Sequence, residues 1–242
     1  GRAVALALAA HGATVILLGR TQAKLEAVYD KIKAAGGPEP ALAPVNMEVA
    51  RPEDYQELAT LFGREFGRLD GVLHNASVLG DITPLERYGA DTWDSVMRVN
   101  VNSAFYLTQA LMPLLRDSDD GRILFTSSSV GRKGRAFWGA YAASKAATEN
   151  LAQTLSEELE NTSKIRVNTI NPGATRTDMR ALAYPGEDAE KLKTPEQIVA
   201  SYLYLLGPEG AAINGQSVGA QPRYGRERQA TPPVSPAPVT KS

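Results

Sequence analysis

In Tyr141-Ala-Ala-Ser-Lys145 a phenol and an ammonium stand four residues apart, and Ser128 lies thirteen residues upstream in Phe-Thr-Ser-Ser-Ser-Val-Gly. On a helix, positions i and i+4 share a face, so both groups can enter one cleft. A free tyrosine titrates near ~10 and is a poor base at neutral pH. A cation held within roughly 4–6 Å favours the phenolate and lowers that value, which brings Tyr141 toward general acid/base work. Ser128 follows the apolar run Ile123–Phe125 and can orient a carbonyl or hydroxyl. The chemistry open to this set is proton transfer to or from a carbinol oxygen, with hydride supplied by a cofactor. Taken singly, such a Tyr–Lys pair is an ordinary solvated pair and a Ser-rich stretch an ordinary loop; the chemical reading rests on several motifs agreeing in context.

The elements that would carry this set alternate. Gly1 to Ala10 reads as a helix of small residues, ended by His11-Gly12. Ala13–Leu18 is a short apolar strand of the kind buried on both faces of a parallel sheet. Thr21 opens a helix to about Ala35, with Leu25, Val28 and Ile32 on one face, and Gly36-Gly37-Pro38 is a turn. Further apolar strands are expected at about Ala41–Val45, Gly71–His74, Arg122–Thr126 and Ile165–Ile170. Helical patterns separate them at about Pro52–Phe66, Ala90–Leu115 and Ala140–Glu160. The alternation predicts βαβ units with right-handed crossovers, a doubly wound parallel sheet covered on both faces, and hence an α/β fold. No repeat is visible.

Composition bounds the rest. At 242 residues and 43% hydrophobic, the chain can bury one substantial core, expected over 1–221. From Pro222 prolines multiply and large apolar groups thin out, which predicts a disordered tail over 222–242. The tail lacks a clean PxxP register with a basic anchor, which weighs against a Pro-rich ligand. A formal charge of −1 gives no electrostatic footprint for nucleic acid or an anionic membrane. Zero cysteines exclude disulfides, cysteine nucleophiles and thiolate metal sites, and fit a reducing, cytoplasmic setting. His11 and His74 fall short of a metal cluster, so no metal site is expected. No apolar run is long enough to span a bilayer, and no segment reads as a signal peptide.

Together these residues resemble the short-chain dehydrogenase/reductase superfamily over nearly the whole chain up to about Gln221. The resemblance rests on Asn75-Ala76 after a strand, Asn100 in Arg-Val-Asn-Val-Asn, Ser128, Tyr141-x-x-x-Lys145, and Asn171-Pro172-Gly173 followed by Thr177. Leu-Asp-Gly-Val-Leu-His-Asn-Ala, Phe-Thr-Ser-Ser-Ser-Val-Gly-Arg and Trp-Gly-Ala-Tyr-Ala-Ala-Ser-Lys are similar to the YciK-type bacterial oxidoreductases. The resemblance implies a three-layer Rossmann domain, usually dimeric or tetrameric through helices corresponding to about Trp93–Leu115 and Ala140–Glu160. It implies that the Asn100 backbone holds a water linking Lys145 to solvent. Ser128 would position the substrate oxygen, Tyr141 transfer the proton, and Lys145 lower the Tyr141 pKa and bind the nicotinamide ribose. Asn75 would sit beside the adenosine ribose, Thr177 beside the carboxamide, and Pro172-Gly173 would wall the ring. In such folds a carboxylate after the second strand binds the ribose 2′-hydroxyl, while an arginine accommodates a 2′-phosphate. Here Gly19 takes the acidic place and Arg20 follows it, which favours NADP over NAD. Arg20 as a merely solvated loop cation is the plainer alternative.

The chain also departs from the pattern. Members begin with a strand and a Thr-Gly-x-x-x-Gly-x-Gly loop; Gly1 matches the last glycine of that loop, so the first strand and most of the phosphate cradle are absent here. The intact downstream motifs favour a fragment of a longer enzyme over a crippled product. Ser77 stands where a glycine closes Asn-Ala-Gly, and His74 is read as a histidine satisfied by neighbouring sheet backbone. Asn214–Ala220 replaces the usual final strand and its Asp-Gly-Gly ending, which puts the common tetramer interface in doubt. The stretch from Thr177 to Lys193 falls where the superfamily has a mobile lid. Leu79, Phe137 and Trp138 would wall an apolar pocket suited to a hydrophobic ketone or aldehyde, with ordinary packing equally open for the aromatic pair. Arg132, Lys133 and Arg135 read as a solvated loop. The resulting expectation is an NADP(H)-dependent oxidoreductase acting on a small carbonyl or alcohol. A non-catalytic nucleotide-binding or scaffold protein of the same fold is the alternative; an epimerase or dehydratase is disfavoured by the chain's modest substrate-binding portion.

Overall fold

The computed structural model describes residues 1–221, and the tail expected from Pro222 lies outside the described residues. Its elements run α1 (Arg2–Ala10), β1 (Ile16–Gly19), α2 (Gln22–Ala34), β2 (Ala41–Pro44), α3 (Pro52–Phe66), β3 (Gly71–His74), α4 (Ala90–Met97), α5 (Ser103–Arg116) and β4 (Arg122–Thr126). They continue with α6 (Ser129–Arg132), α7 (Gly139–Glu160), β5 (Arg166–Asn171), α8 (Asp178–Ala183), α9 (Val199–Leu206) and β6 (Ser217–Gly219). Local signals set several boundaries. Pro52 occupies the first turn of α3, where the missing N–H is no loss. The Asp54 carboxylate accepts from the Arg51 backbone N–H at 2.7 Å, and Gly67 at φ 76° ends the helix.

All strand pairs are parallel: β1 with β2, and β3-β4-β5-β6 in that order. Successive residues of each strand serve opposite layers. Ile123 and Phe125 join α3, α5 and α7 in one core, together with Tyr55, Phe62, Leu111 and Val167. Leu124 and Ile170 face α1 and α9. Leu17 packs with Ala9 and the Val28–Ile32 face of α2. The result is three layers, with a helix α1 that packs on both α2 and α9. The break expected from the resemblance is present: among the described residues no strand pairs β1 with β3, and α1 spans the two sets. The C-terminal ends of β1, β3, β4 and β5 lie on one edge of this parallel arrangement, where open α/β sheets bind ligands.

Two expectations are corrected. The predicted helix Ala90–Leu115 is three elements, because Arg98–Asn102 is one wide π turn between α4 and α5. Such turns recur at functional sites, and this one carries Asn100. The final strand that Asn214–Ala220 seemed to replace is also present: β6 pairs with β5 in the register Thr169↔Ser217 to Asn171↔Gly219. Only three residues long, it depends on its neighbour rather than on a pattern of its own.

Candidate active site

Tyr141 and Lys145 lie on one face of α7 and are nearly enclosed, 8% and 3% exposed. The Ser128 hydroxyl, at the start of α6, lies close enough to the Tyr141 phenol to favour its ionised form. The Lys145 ammonium lies 5.5 Å from the Tyr141 ring centroid and donates to the Thr126 carbonyl at 2.8 Å. The three groups expected to act together are thus together, between α7 and the ends of β4 and α6.

Their protonation differs from the expectation. Burial pushes the Tyr141 phenol up to about 12, and the nearby Ser128 hydroxyl offsets that only in part. Burial pulls Lys145 down to about 8. Loss of water around the phenol outweighs any lowering by the nearby ammonium. At neutral pH the Tyr141 phenol keeps its proton.

Asn100 stands behind this cluster. Its Oδ1 accepts from the Val78 N–H at 2.8 Å, while Nδ2 donates to the Val78 carbonyl at 2.9 Å and the Ser144 hydroxyl at 3.0 Å. The side chain therefore ties the π turn to α7 and to the loop after β3. On that loop Asn75 Oδ1 accepts from the Thr126 hydroxyl at 3.2 Å. A Cβ built at Gly1 would lie 3.1 Å from Asn75 Nδ2, so Gly1 and Asn75 share one corner. Arg20 follows β1 with its side chain 66% exposed, and its nearest carboxylate is Glu48 at 3.8 Å.

On the other side, Gly173 at φ 71° follows Pro172, and its N–H is held by Asn171 Oδ1 at 3.0 Å. Gln221, which sequence reasoning passed over, fastens this loop: its Nε2 donates to the Pro172 and Ala174 carbonyls, both at 2.9 Å. Nothing local marks Gln221, which meets the loop across 49 positions of sequence. Thr177 caps α8, accepting from the Arg180 N–H at 3.2 Å. His74 is satisfied by the Thr108 hydroxyl at 2.8 Å and stacks on Phe125 at 4.6 Å, not by sheet backbone as expected. Burial lowers it to about 4, so it is neutral.

The segment after Thr177 packs on Trp138, ahead of Tyr141. Trp138 lies 5.8 Å from the Tyr141 ring and 5.7 Å from Tyr184. Tyr184 takes a hydrogen bond from Arg135 and has the Arg180 guanidinium 3.7 Å above its ring. Arg180 is held in turn by both Glu187 carboxylate oxygens at 2.6 Å. Arg132, Lys133 and Arg135 are exposed, as expected of a solvated loop, yet Arg135 also contacts Tyr184 and Arg132 meets Glu149 at 3.6 Å. Phe137 sits at φ 73°, a left-handed conformation unfavourable for an aromatic residue. Its place at the cleft mouth is where such strain tends to be retained.

One close approach is decisive for Ser128. A Cβ at Gly131 would lie 2.8–2.9 Å from the backbone and Cβ of Lys145, so α6 sits directly on α7. Gly131→Ala is expected to destabilise the protein by about 1–3 kcal/mol through overpacking, read by urea unfolding. An unchanged midpoint would show that α6 can move aside freely.

Comparison with known proteins matches this arrangement. The short chain dehydrogenase family matches residues 1–188. The uncharacterized oxidoreductase YciK of Escherichia coli (strain K12) is 50% identical over 222 residues, covering 92% of this chain and 87% of that protein. The structure of a putative short chain dehydrogenase from Pseudomonas syringae superposes with a TM-score of 0.90 at 57% identity, covering 91% of this chain and 90% of that one. A short chain dehydrogenase from Escherichia coli CFT073, solved in complex with NADPH, gives a TM-score of 0.89 at 50% identity and covers 92% of each chain. A Tyr–Lys pair on α7 with Ser128 against it, on a parallel sheet of this topology and at this level of identity, makes the chain a YciK-type member of the short chain dehydrogenase family.

Proposed function

We propose that this protein interconverts a carbonyl and an alcohol with NADP(H), Tyr141 acting as the general acid/base. The observation that carries the reading is the buried Tyr141 phenol beside Ser128, with Lys145 on the same helix face. The residues present fit a dinucleotide. Gly1 leaves room beside Asn75 that a Cβ would fill, and the neighbouring Ser77 hydroxyl is buried without a protein partner. Arg20 is exposed at the end of β1 and only loosely paired, which suits a 2′-phosphate. The relative solved with NADPH supports the same choice.

When bound, the nicotinamide supplies or accepts the hydride at the carbonyl carbon. Ser128 orients the substrate oxygen, and Tyr141 donates its proton to that oxygen in reduction or removes it in oxidation. Lys145 would hold the nicotinamide ribose, and Asn100 holds the π turn behind it. Pro172 and Gly173 would wall the nicotinamide ring, Thr177 would meet its carboxamide, and Trp138 with Phe137 would give the substrate an apolar approach. A homodimer or homotetramer through α5 and α7 accords with the exposed Phe105 on α5. The absence of cysteine suits a reducing cytoplasm.

The test is a panel of ketones and aldehydes, with the full-length protein and NADPH consumption followed by absorbance. Turnover of apolar carbonyls supports the reading; none across a broad panel, despite NADPH binding, would favour a nucleotide-binding scaffold. Cofactor choice has its own test. Arg20→Ala is expected to lower kcat/KM for NADPH about tenfold or more, the value of one lost charge-assisted contact, with NADH efficiency within about twofold. Equal losses with both cofactors would remove Arg20 from 2′-phosphate recognition.

A further inference from the structure

Glu149 is a carboxylate only 6% exposed, and the chemistry described above does not use it. It lies on α7 one turn beyond Lys145 and two beyond Tyr141, on the same side of the helix. Its Oε2 accepts from the Thr169 hydroxyl at 2.9 Å and its Oε1 from the Ser217 hydroxyl at 2.8 Å, so β5 and β6 both hold it. The free side of Oε1 faces the Arg132 guanidinium at 3.6 Å. Arg132 is the last residue of α6, the four-residue helix whose first turn is entered from Ser128.

A single helical turn is marginal on its own, because nucleation fixes several residues for one hydrogen bond. Three contacts hold α6 in its place: the close backbone approach of Gly131 to Lys145, the pair between Arg132 and Glu149, and the buried Val130 side chain. The first sets the distance of α6 from α7. The second sets its rotation about that contact, since Arg132 reaches past Gly131 to a point fixed by two strands. We propose that Glu149 is a positioning residue, which through Arg132 orients α6 and so holds the Ser128 hydroxyl against the Tyr141 phenol. Ser128 and Tyr141 are then referred to the same 22-residue helix.

The value of this placement rests on the proposed roles of Ser128 and Tyr141, so the test has one arm that does not require turnover. Hydrogen exchange of the full chain would be read at the Gly131 and Lys133 amides, which donate to the Ser128 and Ser129 carbonyls. Both Arg132→Ala and Glu149→Gln are expected to speed exchange there tenfold or more, with β4 amides unchanged and Arg132→Lys restoring most of the protection. In the second arm, with phenanthrenequinone as probe, kcat falls about tenfold in the two disruptive variants. KM for NADPH stays within twofold, and Arg132→Lys recovers most of the rate. If Glu149→Gln also loosens β4, the half-exposed Arg132→Ala variant decides alone. Unchanged exchange at both amides in Arg132→Ala overturns the proposal whatever the kinetics. Faster exchange with no turnover of the probe by any form, wild type included, upholds the positioning and counts against the assigned chemistry.

Discussion

Replacing Tyr141 by Phe is expected to lower kcat for carbonyl reduction by about 10²–10⁴-fold, the range a positioned general acid supplies. NADPH should bind within a few-fold of wild type. The aromatic body stays in its cleft beside Trp138, and only the hydroxyl facing Ser128 is lost. Because burial holds the phenol near 12, the cofactor-free protein presents a proton donor over the whole neutral range. Reduction should therefore be flat with pH there, whereas oxidation, which needs the phenolate, should climb with pH. The same group marks stability. Its folded pKa is raised above the unfolded value, so the folded state binds more protons between about 10 and 12. The associated stabilisation is complete below pH 10 and is lost as pH rises toward 12. Tyr141→Phe should remove that alkaline loss, about 3 kcal/mol at two units, from unfolding curves measured across the window. Wild-type-like kcat in the variant would sink the acid/base role; an unchanged alkaline slope would sink only the burial account.

What could be read in the chain follows from how local each cause is. β3 and β4 keep their expected bounds, Gly71–His74 and Arg122–Thr126, because continuous apolar runs are closed by turn residues at both ends. α3 does so because Pro52 and Gly67 punctuate it. The pairing of Tyr141 with Lys145 is equally local, fixed by one helical turn. The π turn is not: it depends on Asn100 meeting Val78 and Ser144, 22 and 44 residues away. Glu149 and Gln221 escaped for the same reason, since their partners lie on β5, β6 and the Pro172 loop. The direction of the Tyr141 shift escaped for another. Spacing says that a cation is near, but only packing says how much water each group has lost, and here desolvation outweighs proximity.

That balance makes Lys145 a residue whose removal should strengthen the fold while disabling the site. Its pKa falls from 10.5 to about 8, and burial is the cause. A lysine depressed in this way binds fewer protons when folded, between about pH 8 and 10.5. Stability therefore rises with pH across that window, and below pH 8 the whole penalty is present, about 3 kcal/mol for 2.5 units. Methionine has a similar length and no charge, so Lys145→Met removes the penalty. Against this, the Thr126 carbonyl loses its 2.8 Å donor, which costs about 1–3 kcal/mol for a buried acceptor left alone. The desolvation term is the larger over most of that range, and a net gain of about 1 kcal/mol is expected at pH 7. At pH 10 wild-type Lys145 is already mostly neutral, so the gain disappears or reverses. Urea unfolding of both proteins at the two pH values, without cofactor, measures this directly. Under the proposed function turnover should fall at least about a hundredfold, since the variant loses the group assigned to hold the ribose beside Tyr141. A variant less stable than wild type at pH 7, with the difference unchanged at pH 10, would mean that the ammonium is better solvated than its 3% exposure implies. The fold would then owe Lys145 nothing but its hydrogen bond.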